Sequence, residues 1–288
     1  MQRISTFSLV AYDPAEKAWG IAVASKFPAV GAVVPWARAG AGAVATQSYA
    51  NTSFGPDGLE LMEADMPAGE ALHTLLEADE ERKLRQVGMV DSSGHPASFT
   101  GEDCIAWAGG RCGEHYAMQG NLLTGEETLA AMEQAYLASA EPFPERLVSA
   151  LLAADRAGGD SRGRQSAAVL VVKEEGGYGG YNDRWIDYRI DDHPDPVPQL
   201  QHLLKLHGLY FGKSDAEDQL PLEGNTLAQL MTILHKQEYL SREITQYGEE
   251  ARNALRRLIG NENFEDRTDL EDNIIDRPVF DYLLEKFG

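Results

Sequence analysis

The sequence predicts an α+β chain: a layered sandwich with two helix layers flanking two antiparallel sheets, followed by a small all-α domain. Three observations carry this. Strand patterns fill the start of the chain, paired amphipathic helices the middle, and strand patterns return later. Strict strand–helix alternation is absent, which weighs against a doubly wound parallel sheet. Finally, Asp191-Asp-His-Pro-Asp-Pro-Val-Pro198 reads as an acidic, proline-rich linker, and strand signals vanish beyond it. The expected division is a first domain over 1–195 and a helical second domain over 196–288.

Residues 4–12 and 18–25 are rich in β-branched and aromatic side chains and flank the turn Tyr12-Asp-Pro-Ala-Glu-Lys17, so they read as a strand pair. The stretch Ala39-Gly-Ala-Gly-Ala-Val-Ala-Thr46 is too small-sided for an ordinary strand and suggests close backbone approach. Helices are expected over 56–65 and 68–78, each with a proline near its first turn. Residues 86–91 and 96–100 form a hairpin over Ser92-Ser-Gly94, and 116–121 is a short strand. Amphipathic spacing predicts helices over 126–138 and 143–156. Residues 166–172 make an apolar strand paired with 185–190. The tail reads as helices over 197–208, 224–236, 238–259 and 278–287.

With 288 residues and 43% hydrophobic side chains, the chain can bury a large core. A formal charge of −21 argues against nucleic acid and against an anionic membrane as partner. No apolar run approaches the roughly 18 residues of a membrane span, and no charged-then-apolar leader precedes residue 10, so a cytoplasmic location is expected. Cys104 and Cys112 lack CxxC spacing, and His193 beside Asp191 and Asp192 belongs to a solvated linker, so no metal is expected. The glycine-rich stretches fit neither a P-loop nor a dinucleotide fingerprint, so no cofactor is expected either.

The chemistry rests on Thr6, which opens the first strand, and Lys26, which ends the next. If the turn centres near residue 15, Thr6 lies opposite residue 23, 24 or 25. Lys26 then falls within the roughly 7–8 Å of a same-face diagonal neighbour. A threonine hydroxyl is a weak nucleophile until a base takes its proton. An α-amine, with a pKa of about 7.7–8, suits that task at neutral pH. A nearby ammonium favours the alkoxide and depresses the amine's pKa. This is the logic of N-terminal-nucleophile hydrolases, and it requires removal of residues 1–5. Ser5 is an alternative start and Cys104 an alternative nucleophile. The plainer account makes Thr6 an ordinary strand residue and Lys26 a solvated strand end.

Several blocks together resemble the DUF1028 family. They are Thr6-Phe-Ser-Leu-Val-Ala, Gly20-Ile-Ala-Val-Ala-Ser-Lys-Phe-Pro-Ala-Val-Gly, Ala45-Thr-Gln-Ser-Tyr-Ala-Asn51, Tyr116-Ala-Met-Gln-Gly-Asn121, Gly159-Asp-Ser-Arg-Gly-Arg-Gln-Ser and Gly176-Gly-Tyr-Gly-Gly-Tyr-Asn-Asp-Arg184. The resemblance covers residues 5–195 and implies the αββα sandwich of the N-terminal-nucleophile hydrolases. Asn253-Ala-Leu-Arg-Arg-Leu-Ile-Gly-Asn-Glu-Asn-Phe-Glu-Asp-Arg267, with Ile275-Asp-Arg-Pro-Val-Phe-Asp-Tyr-Leu283, resembles the peptidoglycan-binding domain appended to some members. Relatives often begin Met-Thr-Phe-Ser, where loss of methionine frees the threonine. Here Gln2-Arg-Ile-Ser5 intervenes, so either proteolysis is required or Thr6 is not a terminal nucleophile.

That resemblance sets Asp160 and Ser166 near the nucleophile, Asp160 to orient a lysine or amine and Ser166 to donate a hydrogen bond. Arg162 and Arg164 suit a bidentate clamp on a substrate carboxylate; the plainer account is a capped helix exit. Gln47, Asn51, Gln119 and Asn121 are neutral amides on small-residue segments, suited to binding an amide substrate and its oxyanion. They equally suit satisfying buried backbone. The expected function is an amidohydrolase acting on a small amide or peptide bond, with muropeptide fragments among its candidate partners and a homo-oligomer as its assembly. The rival is a non-catalytic binding or scaffold protein on the same fold.

Overall fold

The computed structural model describes residues 6–212, 214–241, 244 and 246–288. Ser5, and the removal of residues 1–5, lie outside the described residues. The chain divides into two compact units between Leu204 and Lys205.

In the first unit, β1 (Thr6–Asp13) and β2 (Ala18–Ser25) pair in register, Thr6 opposite Ser25, within the predicted window. Next come β3 (Pro35–Arg38), β4 (Gly42–Ser48), α1 (Phe54–Glu63), α2 (Ala68–Glu77), β5 (Arg85–Asp91), β6 (Pro96–Thr100), β7 (Gly109–Gly113) and β8 (Tyr116–Asn121). The unit continues with α3 (Glu127–Ala138), α4 (Phe143–Arg156), β9 (Ser166–Val172) and β10 (Arg184–Ile190). The strands form two antiparallel sheets, one of six in the order β10-β9-β2-β1-β8-β7 and one of four in the order β3-β4-β5-β6.

Three apolar clusters hold these elements. Alternation sends Phe7, Leu9 and Ala11 of β1 one way, into a cluster with Leu129 and Met132 of α3 and Leu147 and Leu151 of α4. Val10, Ile21 and Val23 face the other way and pack with Ala43, Ala45 and Val90 of the second sheet. Val44, Val87 and Met89 leave that sheet's far side to meet Leu59, Leu72 and Leu75 of α1 and α2. At roughly 25 cal/mol per Å² of apolar surface, such burial is the main favourable term for the unit.

Three expectations are corrected here. The small-sided stretch over 39–46 does carry a strand: β4 is buried along its whole length, and its alanines fit because both of its faces meet packed side chains. The linker does not run to residue 198, since α5 (Pro196–Phe211) starts inside it. Proline suits a first helical turn, which lacks intrahelical N–H bonds in any case, and Val197 is buried. Nor is the tail all-helical.

The second unit takes up α5 at Lys205 and adds α6 (Gly224–Lys236), α7 (Glu249–Glu262) and α8 (Arg277–Phe287). It also holds a three-stranded sheet of β11 (Gln219–Pro221), β12 (Thr268–Asp269) and β13 (Ile274–Asp276). The helix expected over 238–259 starts only at Glu249, because Glu238 is left-handed (φ 60°) and closes α6. Buried Arg267 ties the unit together: it donates to Asp276 Oδ2 at 2.6 Å, to the carbonyls of Gly208 and Leu209 at 2.8 and 2.6 Å, and to Ser214 Oγ at 2.9 Å. No helix among the described residues is long and apolar enough to cross a membrane.

Candidate active site

Thr6 opens a central strand, so it is flanked on both sides: by Ser25 of β2 and by Asn121 of β8. Ser25 is paired in turn with Ser166 of β9. Residues directly opposed on neighbouring strands share a face. Ser166, Ser25, Thr6 and Asn121 therefore make a polar row across four strands, on the face that looks toward the second sheet. Ser8 joins them two residues along β1. All five are buried, Thr6 completely. The Thr6 hydroxyl donates to Ser25 Oγ at 3.3 Å.

Gln47 of β4 and Gln86 of β5 are cross-strand partners and meet this row from the second sheet. Their hydrogen bonds fix every amide orientation. Gln86 Nε2 lies 2.7 Å from Gly120 O and 3.1 Å from Gly109 O, and carbonyls only accept. Gln86 Oε1 is thus the acceptor, taking protons from Gln47 Nε2 at 2.9 Å and Asn121 Nδ2 at 2.8 Å. Gln47 Oε1 is left to accept the Ser8 hydroxyl at 2.7 Å. Ser8 Oγ, its proton committed, accepts from Gln119 Nε2 at 2.6 Å. Gln119 Oε1 ends the chain, buried and without a hydrogen-bond partner among the described residues. Gly88 makes room for it, since a Cβ there would lie 2.0 Å from that oxygen.

None of these groups ionises near neutral pH. The layer around Thr6 is a fixed set of neutral dipoles in a low-dielectric space, where each bond is stronger than in water. Gln47 Nε2 also approaches the Thr6 carbonyl at 3.3 Å.

The predicted residues fall into three groups. Thr6, Gln47, Gln119, Asn121 and Ser166 come together on the inter-sheet face. Ser166 is occupied there: it donates to Phe27 O and accepts from Val30 N at 3.1 Å, holding the turn after β2. A second group gathers Lys26, Asp160, Arg162 and Arg164. Asp160 accepts from Lys26 N at 2.7 Å and pairs with Arg162 at 3.1 Å. Arg164 pairs with Asp155 at 2.8 Å, which raises the guanidinium's pKa. Lys26 is exposed, and its ammonium donates to Arg164 O at 3.1 Å. Asn51 belongs to a third group, donating to Asp79 Oδ2 at 3.1 Å. Beside that group, burial pushes the Cys104 thiol up, toward the unreactive protonated form.

Sequence reasoning missed Gln86, the hub of the layer, together with Ser8 and Ser25. A signal for Gln86 existed: alternation puts it on the same face as Gly88 and Val90, where a glutamine interrupts an inward row. Among the described residues no three His, Cys, Asp or Glu side chains gather as a metal site.

Residues 6–200 match the model of a family described as "Family of unknown function (DUF1028)". The chain belongs to the DUF1028 family. A crystal structure of a DUF1028 protein from Silicibacter pomeroyi is similar, with 30% sequence identity and a TM-score of 0.64, over 74% of this chain and 92% of that one. Residues 210–283 match a model described as "Putative peptidoglycan binding domain". No curated protein matches the chain.

Proposed function

We propose that this DUF1028 protein is an N-terminal-nucleophile-type amidohydrolase whose nucleophile is Thr6, freed by removal of residues 1–5. The observation that carries the reading is the placement of Thr6 at the head of a central strand, in a neutral hydrogen-bonded layer between two sheets. The succession of apolar clusters, helix against sheet, sheet against sheet and sheet against helix, supports the αββα arrangement such enzymes use. In this mechanism the free Thr6 amine takes the hydroxyl proton as Oγ1 attacks the substrate carbonyl carbon. The C–N bond then breaks, and the same proton leaves with the amine product. Water, deprotonated by the amine, hydrolyses the remaining ester. Lys26 is exposed and its ammonium donates to the Arg164 carbonyl, so the tuning role expected of it falls away. Ser25 Oγ is the neighbouring hydroxyl within hydrogen-bond distance of Oγ1, at 3.3 Å.

The test compares a chain beginning at Thr6 with one beginning at Met1 on a panel of N-acyl amides and dipeptides. Turnover is expected only from the chain that starts at Thr6, and Thr6→Ala should abolish it with the circular-dichroism spectrum unchanged. Turnover that survives Thr6→Ala would sink the mechanism.

Complete burial of Thr6 in the chain favours a second reading, a non-catalytic binding protein. The match over 210–283 supports recognition of wall fragments by the second unit. Under this reading the protein binds muropeptides without turnover, and deleting 205–288 ends that binding. Hydrolysis by the chain starting at Thr6 would exclude it.

A further inference from the structure

One side of the inter-sheet space is open. β6 ends the four-stranded sheet and β7 ends the six-stranded one, each hydrogen-bonded to a single neighbour, β5 and β8. Between them lies a cleft of about 270 Å³ lined by Ser98, Thr100, Gly110, Arg111 and Cys112. Ser98 is opposite Gly88, Thr100 opposite Gln86, and Gly110 opposite Gln119. The cleft is thus the solvent end of the face that carries the amide layer.

Its walls offer neutral donors. Ser98 Oγ is buried and has no hydrogen-bond partner among the described residues. Leaving such a hydroxyl unpaired is unfavourable, so a ligand that pairs it gains affinity. Thr100 Oγ1 accepts from Gln86 at 2.9 Å and keeps its own proton to donate. Cys112 is exposed, and partial desolvation of its sulfur raises the thiol's pKa. The Arg111 guanidinium is spoken for by Glu126 at 2.7 Å and Glu133 at 2.9 Å, which leaves no uncompensated cation in the cleft. A carboxylate finds no uncompensated cation here. A neutral acceptor needs no cation, and it lies beside two edge strands of the kind that take up extended peptides.

We propose that the cleft between β6 and β7 binds a short, uncharged peptide in extended form, with one ligand carbonyl accepting the Ser98 proton. Its volume is below the roughly 300–1,000 Å³ of sites for drug-sized ligands, which limits the ligand to two or three small residues. The proposal does not require Thr6 to react.

The experiment reads alkylation of Cys112 by iodoacetamide in mildly alkaline buffer, mapped by peptide mass spectrometry to separate it from Cys104. The probes are N-acetyl-dialanine methylamide, zwitterionic dialanine and N-acetylglucosamine. At about ten times its dissociation constant the methylamide should slow alkylation roughly tenfold, while the other two leave it unchanged. Gly110→Val places a side chain where a Cβ lies 2.5 Å from Ser98 Oγ and should end the protection. Ser98→Ala removes an unpaired buried hydroxyl, so it folds, and it should weaken binding roughly fivefold. The Thr6→Ala chain should be protected like wild type, which separates this result from the fate of the proposed activity. An unchanged Cys112 rate with the methylamide, protection by the sugar alone, or full protection in the Ser98→Ala variant would each overturn the proposal.

Discussion

Arg85 and Gln86 are neighbours on β5, yet they anchor opposite kinds of buried network. Alternation sends Arg85 toward the α2 end, where its guanidinium meets Asp79 at 2.8 Å, Glu81 at 2.8 Å and the Tyr49 carbonyl at 2.7 Å. Gln86 points between the sheets and joins only neutral groups. One residue along the strand separates an ionic cluster from an uncharged one. The ionic cluster fastens the loop after β4 and the end of α2. The neutral one surrounds Thr6. A charge between the sheets would be costly to desolvate, whereas an amide can donate and accept in both directions and so bridge two sheets without a counter-ion.

The ionic side should break hardest. Arg85 and Asp79 side chains are only 6% and 8% exposed. Arg85→Ala strands a buried carboxylate and should cost about 3–5 kcal/mol in urea unfolding. The same cluster should answer to acid. Bonds from Arg85, Asn51 and the Glu81 N–H hold Asp79 below the ordinary carboxylate range. Its stabilisation is therefore complete above the unfolded value of about 3.9 and lost as pH falls through the lower folded value. Unfolding midpoints taken from pH 7 downward should fall more steeply in wild type than in Asp79→Asn across that acid window. Parallel curves would mean that the pair carries no linked proton.

Gln86→Ala sharpens the contrast. It removes the acceptor of Asn121 and the donor of Gly109 and Gly120, so about 2–3 kcal/mol should be lost. Because no partner ionises, the loss should be the same at pH 7 and pH 4. A loss that grows in acid would show a hidden charge in the layer. A loss below about 0.5 kcal/mol, typical of a surface change, would remove Gln86 from its place as hub.

How far the sequence reveals this depends on residue type. β1, β2, β5, β6, β8, β9, α3 and α4 all lie where periodicity predicts them, since each puts β-branched or apolar residues on one face at the right spacing. β4 escapes because its alanines and glycine resemble a loop until two packed faces are known. β11, β12 and β13 have three, two and three residues, too few for alternation to show. Gln47, Gln119 and Asn121 stand out as amides among small residues, and they do converge. Asn51 looks the same in sequence, but its partner Asp79 is 28 residues away on the ionic side, a contact that no local pattern encodes. Lys26 is legible as a strand end, but its direction is set by the loop at Arg164.

Gly88 tests the smallest effect and the most specific claim, that amide orientation in the layer is fixed by a chain of obligate acceptors. A Cβ at Gly88 would lie 2.0 Å from Gln119 Oε1 and 2.5 Å from its Nε2. Gln119 cannot simply swing aside, because its Nε2 is committed to Ser8 and, through Ser8, to Gln47 and Gln86. Gly88→Ala should therefore cost about 1–2 kcal/mol, an overpacking penalty. Shortening Gln119 to alanine opens that space, so the double variant Gly88→Ala/Gln119→Ala should lose less than the sum of the two single changes, by more than about 0.5 kcal/mol. Strict additivity would mean that Gln119 relaxes freely, and the directional reading of the layer would fall with it.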